Sequence, residues 1–157
     1  MAVDFRCKAL PKTLFQPLLT LNDEELALRQ AQWITVDAEP GYPCRVSLTD
    51  AKVGERVLAL SFVYHDVVSP YRAAGPIFVR EYAETVEPDV NEIPTMLRHR
   101  LLSVRGYNAN GIMIVAQVVQ GSDLETVIAG QFDDSVVEYL QFHNAHPGCF
   151  NCSVYRC

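Results

Sequence analysis

The sequence predicts an α+β domain built on a mainly antiparallel sheet or partly closed barrel with two to three helices. Three observations lead there. Strand-length apolar runs follow one another through the middle of the chain without a helical period between them, which argues against regular βαβ alternation. Two segments carry helix start signals. Turn sequences at Tyr107–Gly111 and Asn144–Gly148 separate neighbouring strand candidates, as hairpins require. The 157 residues fit a single domain, 1–157, long enough to bury a sizeable core.

The elements follow in chain order. Asn22 is a helix cap, with acids at Asp23, Glu24 and Glu25 in the first turn. Glu25 stands at the reciprocal capping position, and Leu21 and Leu26 at the two staple positions. That helix is expected to run to Gln30 or Gln32. Gln32–Val36 is a short strand candidate. Arg56–Tyr64 and Gly111–Val119 are apolar on both alternating faces, which predicts central strands, covered twice or lining a barrel interior. Ile77–Arg80, Leu101–Arg105, Val136–His143 and Phe150–Arg156 are further strands. Ser122-Asp123-Leu124-Glu125 has capping-box spacing and opens a second helix, with Leu124, Val127 and Ile128 on one face. Asp133 and Asp134 would oppose the macrodipole at its C-terminal end, so the helix stops before them.

Charge limits the partners. Thirteen Lys and Arg against nineteen Asp and Glu leave a net charge of −6, which excludes a general nucleic-acid binder. Five acids gather in Glu81–Glu92 without a Lys or Arg, a solvated segment. No run approaches a membrane span, and Met1–Lys8 lacks the apolar core of a secretory signal. The five cysteines, an odd count, then predict a reducing cytoplasm rather than a secreted disulfide scaffold.

Two groups of residues bear on chemistry. His143-x-x-His146-x-x-Cys149-x-x-Cys152 places four soft ligands at a spacing of three. Zinc takes such groups tetrahedrally, so His143, His146, Cys149 and Cys152 form a candidate metal set. Against it, residues three apart on a strand point to opposite faces, and no second Cys-x-x-Cys exists. The alternative is a turn with packed cysteines. The second group is the arginines: there are ten, against three lysines. Arg45 follows the turn Gly41–Cys44, Arg72 sits in the loop Ser69–Pro76, and Arg80 ends the next strand. Guanidinium forks in loops suit carboxylate and phosphate, and the competing outcome is pairing with the nineteen acids. No nucleotide-binding glycine fingerprint occurs. Cys44, Cys149 or Cys152 with His143 or His65 could form a nucleophile pair, and no spacing selects among them. The sequence gives no positive sign of an enzyme, and the catalytic residues are unknown.

Gly41–Leu48, Pro70–Arg80 and His143–Arg156 resemble, in order and spacing, the bacterial family catalogued as domain of unknown function 1203. The resemblance implies a stand-alone bacterial cytoplasmic domain and carries no activity. Three expectations result. The first is a small anionic ligand held by Arg45, Tyr71, Arg72, Arg80, His143, Asn144, Cys149 and Cys152. The second is a zinc module at the His/Cys cluster. The third is a homodimer formed along an exposed sheet edge.

Overall fold

The computed structural model describes residues 3–157; Met1 and Ala2, which begin the segment read for a targeting signal, lie outside them. Among the described residues eight strands, all paired antiparallel, form two open sheets. The larger contains β1 (Phe5–Lys8), β5 (Leu101–Tyr107), β6 (Met113–Gln120), β7 (Tyr139–Asn144) and β8 (Phe150–Arg156) in the order β1-β8-β7-β5-β6. The smaller contains β2 (Ala31–Thr35), β3 (Arg56–His65) and β4 (Ala73–Arg80) in sequence order. Neither sheet closes on itself, so of the two expected forms the mainly antiparallel sheet is found, as two open sheets, and the partly closed barrel is corrected. Four short helices accompany them: α1 (Gln16–Leu19), α2 (Asp23–Ala27), α3 (Thr95–Arg98) and α4 (Leu124–Phe132). Among the described residues no helix is long and apolar enough to cross a membrane.

Strand alternation divides the larger sheet into two different faces. Leu102, Val104, Leu140, Phe142, Cys152 and Val154 point to one side and bury against Leu124, Ile128 and Phe132 of α4 and Met96 and Leu97 of α3. Each fully buried Leu, Ile or Phe there stabilises the fold by about 1.5–3 kcal/mol. Tyr139, Gln141 and His143 point to the other side, where Tyr64 and His65 at the end of β3 lie over them. The smaller sheet has its own core. Leu58, Leu60, Ile77 and Val79 pack with Phe15, Leu26, Cys44 and Val46.

Several elements differ from expectation for identifiable reasons. The capping box at Asn22 and Glu25 forms in both directions. Yet α2 ends at Ala27, because Gln30 takes a left-handed φ of 51° and turns the chain into β2 at Ala31. Ser122 makes no cap. A 3-10 turn, Gly121–Asp123, leads into α4 instead, and α4 stops before Asp133 as the dipole requires. Gly121 presses so closely on the α3 backbone that a Cβ would lie 1.7 Å from Leu97 O. β6 is an edge strand, not a central one, and Val118 is 64% exposed. β3 is central, as its apolar pattern predicts.

Candidate functional site

The segment 43–50 has little regular structure, yet it ties the two sheets together. Pro43 bridges to Asp50, and Cys44 bridges in parallel to Phe78 of β4. Arg45 N donates to Phe78 O (3.1 Å), while Arg45 O accepts from Leu10 N (2.9 Å) just beyond β1. This fixes the Arg45 backbone between the sheets, and its side chain runs inward. Nε donates to Phe150 O at the start of β8 (2.7 Å), Nη1 donates to Pro43 O, and the guanidinium lies 5.7 Å from the Phe78 ring centroid. The side chain is 0% exposed. Nη2 has no hydrogen-bond partner, and no carboxylate pairs with Arg45 among the described residues. Burial lowers the Arg45 pKa to about 10 from an ordinary 12.5, opposed by the neighbouring Cys149 and Cys44 sulfurs. Arg45 therefore stays cationic at neutral pH, with carbonyls and sulfur around it where a buried cation usually has a carboxylate.

Cys149 belongs to the turn joining β7 to β8. Asn144 N donates to Cys149 O (2.9 Å), and Gly148 N donates to Asn144 O (2.9 Å). Gly148 has φ of 84°, a conformation that glycine adopts without Cβ strain. Side chains brace the turn further. Asn144 Nδ2 donates to Cys149 Sγ (3.2 Å), and Asn151 Nδ2 donates to Asn144 Oδ1 (2.8 Å). Asn151 Oδ1 is buried without a partner. His143 Nδ1 lies 3.0 Å from Gly148 O, and Nε2 lies 2.9 Å from the Gln141 carboxamide. Burial lowers the His143 pKa to about 4, so the ring is neutral and donates to only one of the two oxygens that face it, Gly148 O or Gln141 Oε1. Beside the turn lies a cleft of about 270 Å³, lined by Pro43, Arg100, Asn144 and His146 among others. Arg100 is already neutralised there by Asp50 through two bonds (3.0 and 2.5 Å).

The expected site residues thus divide. Arg45, Asn144 and Cys149 come together, with His143 supporting the turn. Arg80 is engaged elsewhere, in a two-bond fork to Glu55 (2.7 and 2.8 Å). Arg72 is mostly exposed and lies 3.4 Å from Asp66. Tyr71 holds the loop by its backbone, accepting from His65 Nδ1 (2.7 Å), while its side chain is exposed. Cys152 points into the helix-side core, where a hydrogen bond with Cys7 and burial push its thiol pKa well above the ordinary value. That also separates the four expected zinc ligands: Cys152 shares the face of Phe142, opposite His143, and both His143 nitrogens have partners. No cluster of three His, Cys, Asp or Glu among the described residues is placed to hold a metal ion.

His65, a possible cysteine partner by sequence, sits instead in an aromatic cluster that no sequence pattern announces. His65 Nε2 meets Tyr139 Oη (2.5 Å), its ring lies 4.2 Å from that of Tyr107, and Tyr64 stacks on Phe150 at 5.3 Å. Desolvation raises the Tyr107 pKa to about 12 and keeps the phenol protonated. Arg105 lies beside it, bonded through Nε to Ser103 Oγ (3.2 Å), with no carboxylate partner among the described residues. The alternation Ser103, Arg105, Tyr107 in β5 signals their shared face. Nothing local signals that β3 crosses above it.

The family model described as "Protein of unknown function (DUF1203)" matches residues 41–156. The chain belongs to this family. The DUF1203 region starts at the loop that presents Arg45 and ends with β8, so it contains the whole junction between Arg45 and the Asn144–Cys149 turn. The chain matches no curated protein and no solved structure.

Proposed function

We propose that the protein binds a small anionic ligand beside the Asn144–Cys149 turn, with Arg45 supplying the positive charge. The observation that carries this reading is Arg45 Nη2, buried without a partner on a guanidinium that has no carboxylate. A buried charge without a counter-charge costs several kcal/mol. An arriving anion offsets part of that cost, since a hydrogen bond to a charged group contributes about 1.5–3 kcal/mol. The cleft beside the turn, about 270 Å³, reaches Arg45 only through Pro43, whose carbonyl accepts from the guanidinium, so the anion must enter past Pro43 and Asn144. Its small size favours an oxyanion or short dicarboxylate. Asn144 Nδ2 and His146 supply polar groups at its wall. Arg72, Arg80 and Tyr71 have other partners and are left out of the ligand set.

Thermal-shift measurements with phosphate, sulfate, citrate and short dicarboxylates test the reading. A ligand at a hundred times its Kd adds about 2.7 kcal/mol, which raises the melting temperature by several degrees. No shift with any anion at millimolar concentration, or an equal shift in Arg45→Gln, would refute it. A second reading, self-association along β6, is favoured by that edge strand alone: Met113–Gln120 carries no charge and exposes Ile114 and Val118. Light scattering that finds a concentration-independent monomer would remove it.

A further inference from the structure

We propose that Cys149 is a reactive thiol that exchanges with small anionic disulfides, resting on the anion reading above. Cys149 is the partly exposed cysteine, and its sulfur accepts from Asn144, a residue of the cleft wall. Cys7, Cys44 and Cys152 are buried, and Cys157 is exposed near the end of β8. Two independent features act on that sulfur. Asn144 Nδ2 donates to it (3.2 Å), and the unpartnered, fully buried guanidinium of Arg45 lies next to it. Reactive cysteines occur where the sulfur is partly accessible and near a cation, because the thiolate is the nucleophile. Asn144, which donates to the sulfur, lines the cleft, and Cys149 follows the Gly148 turn directly behind it.

The surroundings also select the chemistry. Acyl transfer and similar reactions need a base next to the sulfur. His143 cannot act as one: Nδ1 is committed to Gly148 O, and Nε2 faces Gln141. Among the described residues no imidazole nitrogen hydrogen-bonds Cys149 Sγ. Thiol–disulfide exchange needs only the thiolate. Cys149 Sγ attacks one sulfur of the incoming disulfide, an Sγ–S bond forms, and the old S–S bond breaks. The electron pair leaves on the departing thiolate, which takes a proton from water. Cys149 is oxidised to a mixed disulfide and the released half is reduced. A second thiol attacking the mixed disulfide reverses the step. All five cysteines are free, and Cys7, Cys44 and Cys152 are buried, so the oxidant is the incoming disulfide rather than a disulfide of this chain. Arg45 gives preference to a partner that carries carboxylates.

The full chain is incubated with glutathione disulfide, or with the cationic disulfide cystamine, and adducts are quantified by peptide mass spectrometry. Cys157 in the same chain is the internal reference. Cys149 is expected to react with glutathione disulfide at least about tenfold faster than Cys157, and to lose that advantage with cystamine. Arg45→Gln should bring the two rates close together. Asn144→Asp is nearly isosteric, keeps the acceptor for Asn151, and places an acid against the sulfur. It should slow Cys149 at least about threefold even if Arg45→Gln fails to fold. Equal rates at Cys149 and Cys157, or unchanged reactivity in Asn144→Asp, would overturn the proposal. Citrate and phosphate binding by the unmodified protein is measured alongside. Anion binding with slow exchange defeats the thiol inference alone, and fast exchange without anion binding sustains it while defeating the anion reading.

Discussion

Mild acid should weaken the fold through His143. The side chain is 0% exposed, and burial lowers its pKa to about 4 from an ordinary 6.5. Between these values the unfolded chain binds a proton at this ring that the folded chain does not. The contribution is therefore complete above pH 6.5 and is lost as pH falls toward 4. At 1.36 kcal/mol per unit the whole effect is about 3 kcal/mol, and about 2 kcal/mol of it has gone by about pH 5. Glu55 and Glu125 titrate later, since hydrogen bonds from Arg80 and Arg98 hold their carboxyls below the usual range. Urea unfolding followed by far-UV circular dichroism isolates the effect. With a slope of about 2 kcal/mol per molar, the midpoint should fall by about 1 M between about pH 7.5 and about pH 5. His143→Gln should be less stable at neutral pH and nearly flat across that interval. A wild-type midpoint that does not move, or a variant that keeps the same slope, would refute a neutral buried His143.

Three further outcomes are expected. Gly121→Ala forces a Cβ to within 1.7 Å of Leu97 O, where only backbone can yield, and should cost about 3 kcal/mol or more by thermal unfolding. Val118→Lys on the exposed β6 edge should change stability by no more than about 0.5 kcal/mol, whereas Val104→Lys on the buried face of β5 should prevent folding; expression and circular dichroism distinguish them. Arg80→Gln breaks a half-buried fork to Glu55 and should cost about 1 kcal/mol in urea unfolding, with anion binding unchanged in calorimetry.

The sequence was most informative where the deciding physics is local. The Asn22–Glu25 capping box, the hairpin at Asn108–Gly111 and the full extent of β8 follow from short-range hydrogen bonding and alternation. It was least informative about neighbours. Ile114, Val115, Val118 and Val119 predict burial of β6, but no strand pairs with its outer side. α1 and α3 have four residues each, about one turn, too short for a period to stand out. The site shows the same division. Arg45 and the Asn144–Cys149 turn were each identifiable as chemistry-bearing turns. Their meeting depends on a contact spanning 105 residues, made by topology alone. Arg72, in a loop, and Arg80, at a strand end, are the same residue type as Arg45, and their fate was set by Asp66 and Glu55, whose positions no local pattern reveals.

The position of Arg45 links occupancy to architecture. Its backbone is held by Phe78 of the smaller sheet and by Leu10, while its side chain holds Phe150 and Pro43. In the proposed reading the residue is both the bolt between the sheets and the source of charge for the anion. A cation kept only for mechanical reasons would serve better with a carboxylate beside it, as Arg80 has in Glu55 and Arg100 has in Asp50. With Nη2 unpaired, the junction is weaker than a carboxylate would make it. Any anion that completes the guanidinium strengthens the contact between the sheets, and by linkage the rigidity of that contact raises affinity for the anion. A mixed disulfide of Cys149 carrying a carboxylate could supply the same charge covalently. The two proposals therefore share one physical origin, and protection from hydrogen exchange at Arg45 N and Leu10 N reports it directly: both amides should exchange more slowly when an anion is bound, and an unchanged rate at both would uncouple the site from the junction.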